Sequence, residues 1–252
     1  MCMLAEERFA QILELVAQKR TVSVQELTKL LDTSESTIRR DLNLLDERGL
    51  LVKVFGGATA PDALYNTRDD TVETRADQNR EEKIRIARYA ASLLQKGDFV
   101  FFDAGTTTGL MIDFITEKDI VFVTDGLSHA KKLAQKGCTT FMLCGELKAS
   151  TDAVVGGQTL RELERYNFTK GFFGTNGVHL QNGFSTPDTN EALVKEKAIQ
   201  RCKQRYVLSD PSKFNRISPV TFAPFSCATV ITTRLQDERY RKYTNIREVD
   251  AE

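Results

Sequence analysis

The 252-residue chain has no net charge, because 35 Lys and Arg balance 35 Asp and Glu. No whole-molecule field draws it to DNA or to a membrane surface, so any nucleic-acid binding must come from local geometry. No apolar run reaches the roughly 18–20 residues of a membrane span, and no membrane partner is expected. The opening Met-Cys-Met-Leu-Ala-Glu-Glu is acidic within seven residues and has no apolar segment, so no secretory signal is expected there. The five cysteines, Cys2, Cys138, Cys144, Cys202 and Cys227, are odd in number and lack C-x-x-C spacing. That argues against a disulfide framework or a metal site and fits a reducing, cytoplasmic setting. Cys138, Cys144 and Cys227 lie in or beside apolar runs and are expected to be small core residues. The chain has two histidines, His129 and His179, and neither stands at a metal-ligand spacing from Cys, Asp or Glu. No metal and no cofactor is expected, and His129 is expected on the surface at a helix start. There is no internal repeat and no low-complexity tract.

The hydrophobic fraction of 41% is enough for a core, and the length suits two domains. Residues 1–58 read as three short helices and a hairpin. Phe9, Ile12, Leu13 and Val16 follow the spacing of an amphipathic helix. Ser23 is placed to cap a second helix, with Leu27, Leu30 and Leu31 facing inward. Asp32-Thr33-Ser34 breaks the pattern, and Ser34 caps a third helix with Ile38, Leu42 and Leu45 on its core side. Gly49 falls just past its end, Leu50 to Phe55 reads as a short strand, and Gly56-Gly57 permits a tight turn.

Residues 59–75, with Pro61 and little apolar periodicity, read as a linker. From residue 76 to 252 the pattern alternates between helix and apolar strand. Strands are expected at Phe99–Phe102, Ile120–Val123, Thr139–Leu143, Gly171–Phe173, Tyr206–Leu208 and Ala228–Thr232. Helices are expected near 79–95, 108–116 and 188–204. Continuous apolar strands separated by helices predict a mostly parallel α/β sheet covered on both faces.

Two short helices joined by a three-residue break form a helix-turn-helix. On the third helix the non-core positions are Ser34, Glu35, Ser36, Thr37, Arg39, Arg40 and Asn43. Arg can pair bidentately with guanine and Asn with adenine, and Ser and Thr can bond bases or phosphates. The same pattern also describes a plain solvated helix. Residues 1–58 carry eight Lys/Arg and nine Asp/Glu, a net charge of −1, but the basic residues gather on the third helix and the hairpin.

In the second part, Asp103-Ala104-Gly105-Thr106-Thr107-Thr108 leads from a strand into a helix, where backbone amides and hydroxyls can hold an anion. Other strand ends supply Thr124-Asp125-Gly126, Gly174-Thr175-Asn176-Gly177 and Asp210-Pro211-Ser212-Lys213, with Lys213 as a cation for a phosphate. Ligands of parallel sheets bind beyond the carboxyl ends of the strands, so these loops are expected to share one crevice.

The spacing of Arg8, Ile12 and Val16, followed by Ser34, Thr37, Ile38, Arg39, Arg40, Asp41 and Leu42, resembles the signature of the DeoR-type bacterial repressors. The resemblance covers the whole first domain and implies a winged helix-turn-helix on double-stranded operator DNA, with Lys53, Gly56 and Gly57 in the wing. Most relatives carry His before the two glycines, where this chain has Phe55. The second domain also resembles the DeoR-type sensor. It shares Asp-x-Gly-Thr-Thr-Thr, Asn176-Gly177-Val178, the Gly183-to-Asp188 run, the Glu191-to-Lys195 run and the Asp210-to-Phe214 run. That domain is similar to ribose-5-phosphate isomerase and binds phosphorylated sugars, and the resemblance implies a short last helix after Tyr243–Ile246. Gly56-Gly57-Ala58 and the Asn190-Glu191 region resemble fructose-operon repressors of Gram-positive bacteria, which implies fructose 1-phosphate as effector.

The resulting expectation is a repressor of a sugar-utilisation operon, acting as a homodimer or tetramer, with a sugar-phosphate effector and no catalytic residues. The alternatives are a sugar-phosphate isomerase fused to a DNA-binding domain, a ligand-dependent activator, or a structural nucleoid-type binder. Against the isomerase, Gly174-Thr175-Asn176-Gly177 stands where such enzymes have Gly-Ala-Asp-Glu, so the charged proton carriers are expected to be missing. Lys195-Glu196-Lys197 reads as a solvated charge cluster.

Overall fold

The computed structural model describes residues 4–19, 21–60, 71–235 and 237–249. The chain divides into two units, Met1–Tyr65 and Asn66–Glu252.

The first unit runs α1 (Ala5–Lys19), β1 (Thr21–Ser23), α2 (Val24–Leu30), α3 (Glu35–Glu47), β2 (Val52–Val54) and β3 (Gly57–Thr59). Phe9, Ile12 and Val16 of α1 meet Leu27, Leu31, Ile38, Leu42 and Leu45 in one core. Full burial of each such side chain contributes about 1.5–3 kcal/mol. The Ser23 and Ser34 side chains accept from the amides of Glu26 and Thr37, fixing where α2 and α3 begin. Asp32 takes a positive φ of 43° between the two helices, and Gly49 a φ of 69° just past α3. One expectation fails here: Leu30 faces outward, at 54% exposure, whereas Leu13 packs, partly buried, against the core. The strand β1 was not anticipated; it pairs antiparallel with β3, which also pairs with β2, giving a three-stranded wing sheet in the order β1-β3-β2.

The expected linker at 59–75 must be shortened at both ends. Thr59 is the last residue of β3, where it pairs with Thr21 and Val52. Val72–Asp77 forms α4, capped by the Thr71 hydroxyl on the Thr74 amide. Residues 61–70 lie outside the described residues.

In the second unit a seven-stranded, wholly parallel sheet has the order β15-β14-β12-β9-β4-β5-β6. Its strands are β4 (Phe99–Phe102), β5 (Val121–Thr124), β6 (Thr139–Met142), β9 (Phe168–Gly174), β12 (Cys202–Leu208), β14 (Thr229–Thr232) and β15 (Ile246–Glu248). Alternation along β4 divides the core. Val100 and Phe102 pack under α5 (Arg80–Ser92), α6 (Thr106–Met111) and α7 (Leu127–Gln135). Phe101 packs on the other face with α8 (Gly157–Leu163) and α9 (Thr189–Gln200). That second face also carries a hairpin of β7 (Glu146–Lys148) and β8 (Ala153–Val155). It carries a small antiparallel sheet of β10 (Gly177–His179), β11 (Gly183–Thr186) and β13 (Val220–Ala223) as well. The expected terminal helix is instead the edge strand β15. Of the cysteines, Cys138 and Cys202 are buried, Cys227 is half-buried and Cys144 is exposed, so the core reading fails at Cys144. No helix among the described residues is long and apolar enough to cross a membrane.

Candidate functional site

The helix α3 turns Ile38, Leu42 and Leu45 inward and leaves Ser34, Glu35, Ser36, Arg39, Arg40 and Asn43 exposed, with Thr37 half-buried. Asp41 is the exception on the polar side. It is buried and pairs with Arg8 of α1, with Nε–Oδ2 at 2.5 Å and a second contact at 3.0 Å. This bidentate pair locks α1 against α3 and accounts structurally for two residues of the recognised signature. Arg39 meets Glu35 at 3.4 Å, an exposed contact that DNA can displace. In the wing, the Lys53 ammonium donates to Asn43 Oδ1 at 2.5 Å, so the two expected contact residues stand side by side. Gly56 is exposed at the turn, with φ 75°. Gly57 departs from its expected role as a DNA contact: it is buried in β3, where a Cβ would run into the Val22 carbonyl.

The second unit gathers its strand-end loops as expected. Gly105, Thr106, Thr107, Asp125, Asn176 and Lys213 line one crevice, together with Arg75, Lys83, Glu191, Lys195 and Asp210. Not every expected residue faces it. Thr108 is fully buried and donates to the Asp103 and Gly105 carbonyls, so it fixes the turn. The Thr124 hydroxyl accepts from the Gly126 amide, and Gly126 lies close against His129 and Ala104, where a Cβ would make tight contacts of 3.1–3.2 Å. Gly177 is buried in β10, where a Cβ would meet the Arg216 carbonyl. These residues shape the crevice from behind.

Asp103, at the head of the Asp103-to-Thr108 run, is engaged within the protein. Its carboxylate accepts from the Gly105 amide at 3.1 Å, the Gly174 amide at 2.7 Å and the Thr108 hydroxyl at 3.0 Å, and it pairs with Lys195. Burial would raise its pKa, but Lys195 and these donors outweigh burial and hold it low. Burial would likewise lower Lys195, and Asp103, Asp125 and Glu191 together hold it high. The pair is therefore ionised inside the protein. Lys195 corrects the reading of a solvated Lys-Glu-Lys cluster: it is buried, whereas Glu196 is exposed.

Asp125 is the unsatisfied member of this group. It is buried, its Oδ1 has no partner among the described residues, and burial beside the Asp103 carboxylate pushes its pKa up to about 8. Glu191 is engaged, accepting from the Thr151 hydroxyl at 2.6 Å and from Lys148 at 3.0 Å. The expected lack of charged proton carriers is thus corrected, since an Asp, a Glu and a Lys all line the crevice.

A second group is cationic. Lys83 of α5 is buried and donates to the Arg75 carbonyl of α4. Burial, with Lys213 and Arg75 nearby, pulls its pKa down to about 8 against the attraction of Asp210. The Arg75 Nε is buried without a partner among the described residues. Three cationic side chains converge here, and Asp210 is shared with Asn79 (2.9 Å) and Ser212 (2.5 Å). Sequence reasoning missed Arg75 and Lys83 because their helices carry no motif that distinguishes a pocket lysine from a solvated one.

His129 is not a surface residue. Its ring is half-buried against Gly109 and Gly126, and burial lowers its pKa. His179 orders a turn, its Nδ1 accepting from the amides of Gln181 and Asn182. Among the described residues no cluster of three or more His, Cys, Asp or Glu could hold a metal ion.

A capped recognition helix with a wing, on one chain with a parallel α/β unit that carries a charged crevice, defines a DNA-binding transcription regulator with a sensor domain. The chain belongs to the DeoR family: residues 8–63 match the DeoR-like helix-turn-helix domain and residues 78–234 the DeoR C terminal sensor domain. It is 46% identical over 242 residues to an uncharacterized HTH-type transcriptional regulator, FruR, of Bacillus subtilis (strain 168), covering 96% of each chain. It is 33% identical to the lactose phosphotransferase system repressor of Streptococcus mutans, over 96% of this chain and 98% of that protein. It is 31% identical to a putative aga operon transcriptional repressor of Escherichia coli O157:H7, over 84% and 80%. Among solved structures, ribose 5-phosphate isomerase A from Neisseria gonorrhoeae aligns with a TM-score of 0.40 at 14% identity, over 52% of each chain.

Proposed function

We propose that the protein represses a sugar-utilisation operon in the cytoplasm, and that a phosphorylated sugar in the crevice controls its hold on operator DNA. The observation that carries this reading is the convergence of Arg75, Lys83 and Lys213 on a crevice also lined by Thr106 and Thr107. A buried lysine pulled down to about 8 lacks sufficient negative charge around it, and a phosphate dianion supplies that charge. The lactose and aga repressors among its relatives support a sugar operon, and fructose 1-phosphate is our first choice of effector. The protein acts as a homodimer or tetramer on repeated half-sites, because one small winged domain offers little interface for tight specific binding.

The crevice holds a sugar phosphate without transforming it. Isomerisation needs a carboxylate base and acids that are free to move protons. Here Lys195 is held by Asp103 and Glu191 by Thr151 and Lys148, while Asp125 Oδ1 has no partner among the described residues. The test is a thermal-shift screen against sugar phosphates, with Thr107→Glu alongside. A bound effector raises wild-type Tm by mass action. The variant places a carboxylate beside the cations and should lose that response while still binding operator. An unchanged response in Thr107→Glu moves the phosphate away from this turn.

A further inference from the structure

The helix α4 is the first described element after residue 70, and it carries one of the crevice cations, Arg75. A six-residue helix is too short to persist alone, so its order depends on what holds it. Burial does little: none of its described side chains is fully buried, with Val72, Arg75 and Ala76 half-buried and Thr74 and Asp77 exposed. A few polar ties hold it instead, and they lead to the crevice. At its amino end the Val72 amide donates to the Ser150 carbonyl at 3.2 Å, in the turn between β7 and β8. The next residue of that turn, Thr151, donates to Glu191 of the crevice wall at 2.6 Å. The Arg75 carbonyl belongs to the last turn of the helix, where carbonyls lack helical partners, and the Lys83 ammonium caps it.

The path from α4 to α5 is broken. Gln78 is extended and Asn79 left-handed, with a φ of 51°, a conformation that Asn tolerates better than most residues. The Asn79 side chain donates to Asp210 at 2.9 Å and to Ser212 at 3.0 Å, in the loop that supplies Lys213. A change of φ and ψ at Gln78 and Asn79 re-seats α4 while α5 stays packed on the sheet through Ile86, Ala87 and Ala90.

We propose that α4 is the helix through which the crevice acts on DNA binding: an anionic group between Arg75, Lys83 and Lys213 clamps α4 onto the crevice wall and fixes the point from which the chain runs back toward residue 70. This rests on a phosphorylated effector occupying that crevice. The anion pairs with the Arg75 guanidinium, whose Nε has no partner among the described residues, and so adds a charge-assisted tie. Lys83 holds the anion and the Arg75 carbonyl together, since an ammonium has three donors. Without the anion, α4 rests on Ser150 and Lys83 and opens locally at low cost. Ligand and operator are coupled because the ligand favours one seat of α4 and DNA binding another.

The test uses the full-length chain, with fructose 1-phosphate and inorganic phosphate as probes and sodium chloride of equal ionic strength as the control. At probe levels that raise wild-type Tm, hydrogen exchange at short labelling times should slow in a peptide covering residues 71–79. Val72→Pro then separates response from binding. Proline suits the first position of a helix, and Thr71 before it is already extended with a ψ of 159°, so the helix keeps its start and loses the amide that reaches Ser150. Operator affinity is read by anisotropy of a labelled duplex that the wild-type chain selects from a random-sequence pool. The probe should change that affinity about 5- to 150-fold in wild type and leave it nearly unchanged in Val72→Pro, although the probe still raises the variant's Tm. The proposal is overturned if exchange at 71–79 stays the same while Tm rises, or if Val72→Pro answers a bound probe as strongly as wild type. If Val72→Pro binds neither probe, the exchange result on wild type decides alone. Failure of the crevice reading looks different: neither probe would raise wild-type Tm, and the proposed function would fall together with this inference.

Discussion

Removing Lys83 should stabilise the empty protein and cripple effector binding. The folded-state pKa of about 8 lies below the ordinary 10.5 because burial disfavours the ammonium. That gap corresponds to about 3 kcal/mol of strain at neutral pH. The sign follows from proton counting. Between about pH 8 and 10.5 the unfolded chain binds the proton and the folded chain releases it, so empty-protein stability rises with pH across that window. A phosphate dianion reverses the balance by favouring the ammonium, so binding takes up a proton near pH 8. Wild-type affinity should then fall up to about tenfold per pH unit above 8. Asp125, raised to about 8, ionises over the same range and repels the same anion. Lys83→Met should raise Tm at pH 7, weaken the effector about 10- to 100-fold, and flatten the pH profile. Asp125→Asn should leave the Lys83 part of the profile in place. The assay is calorimetric titration at pH 7, 8 and 9 in buffers of different ionisation enthalpy, using the sugar phosphate that shifts wild-type Tm most. A flat wild-type profile refutes this reasoning, as does a Lys83→Met protein that loses stability and keeps its affinity.

Arg39→Ala and Arg40→Ala should each cost roughly 1–3 kcal/mol of operator binding if the side chain reads a base. Lys53→Ala should instead weaken all duplexes alike and reduce the salt slope by about one, both readable by footprinting across salt concentrations. Asp41→Ala removes the bidentate acceptor of the Arg8 guanidinium and should destabilise the first unit by up to about 3 kcal/mol, seen as a lowered melting transition; an unchanged transition means the pair does not lock α1 to α3. Limited proteolysis between residues 61 and 70 should release a fragment beginning near 71 that still binds effector. A fragment beginning at 78 would lack Arg75 and α4 and should bind weakly.

Periodicity made α1 and α3 legible, because Ile12 and Val16, and Ile38, Leu42 and Leu45, repeat on the face they bury, and the apolar strands were legible as continuous runs because Phe101 and Phe102 are buried on opposite faces of the sheet. The strand β1 escaped notice because three residues, Thr-Val-Ser, are too few to show a period. Leu30 matched the inward pattern of α2, but in a seven-residue helix the inward face is set by neighbouring elements. The Gly-Thr-Thr-Thr turn was readable as part of the crevice from its place at a strand end, where Gly105, Thr106 and Thr107 line it. Lys195, Lys83 and Arg75 were not, since a lysine in a helical charge run looks the same whether it meets water or Asp103. Their burial depends on contacts 92 and 8 residues away in the chain, for Lys195 with Asp103 and Lys83 with Arg75.

Control of DNA binding by a sugar phosphate is tested most directly by fluorescence anisotropy of a selected operator duplex bound to the wild-type chain, titrated with sugar phosphates and with the matching free sugars. A phosphorylated sugar, with fructose 1-phosphate the first to try, should change operator affinity, and the free sugar at the same concentration should not. A protein that answers a free sugar or a nucleoside while ignoring every phosphorylated sugar would contradict this reading of the crevice.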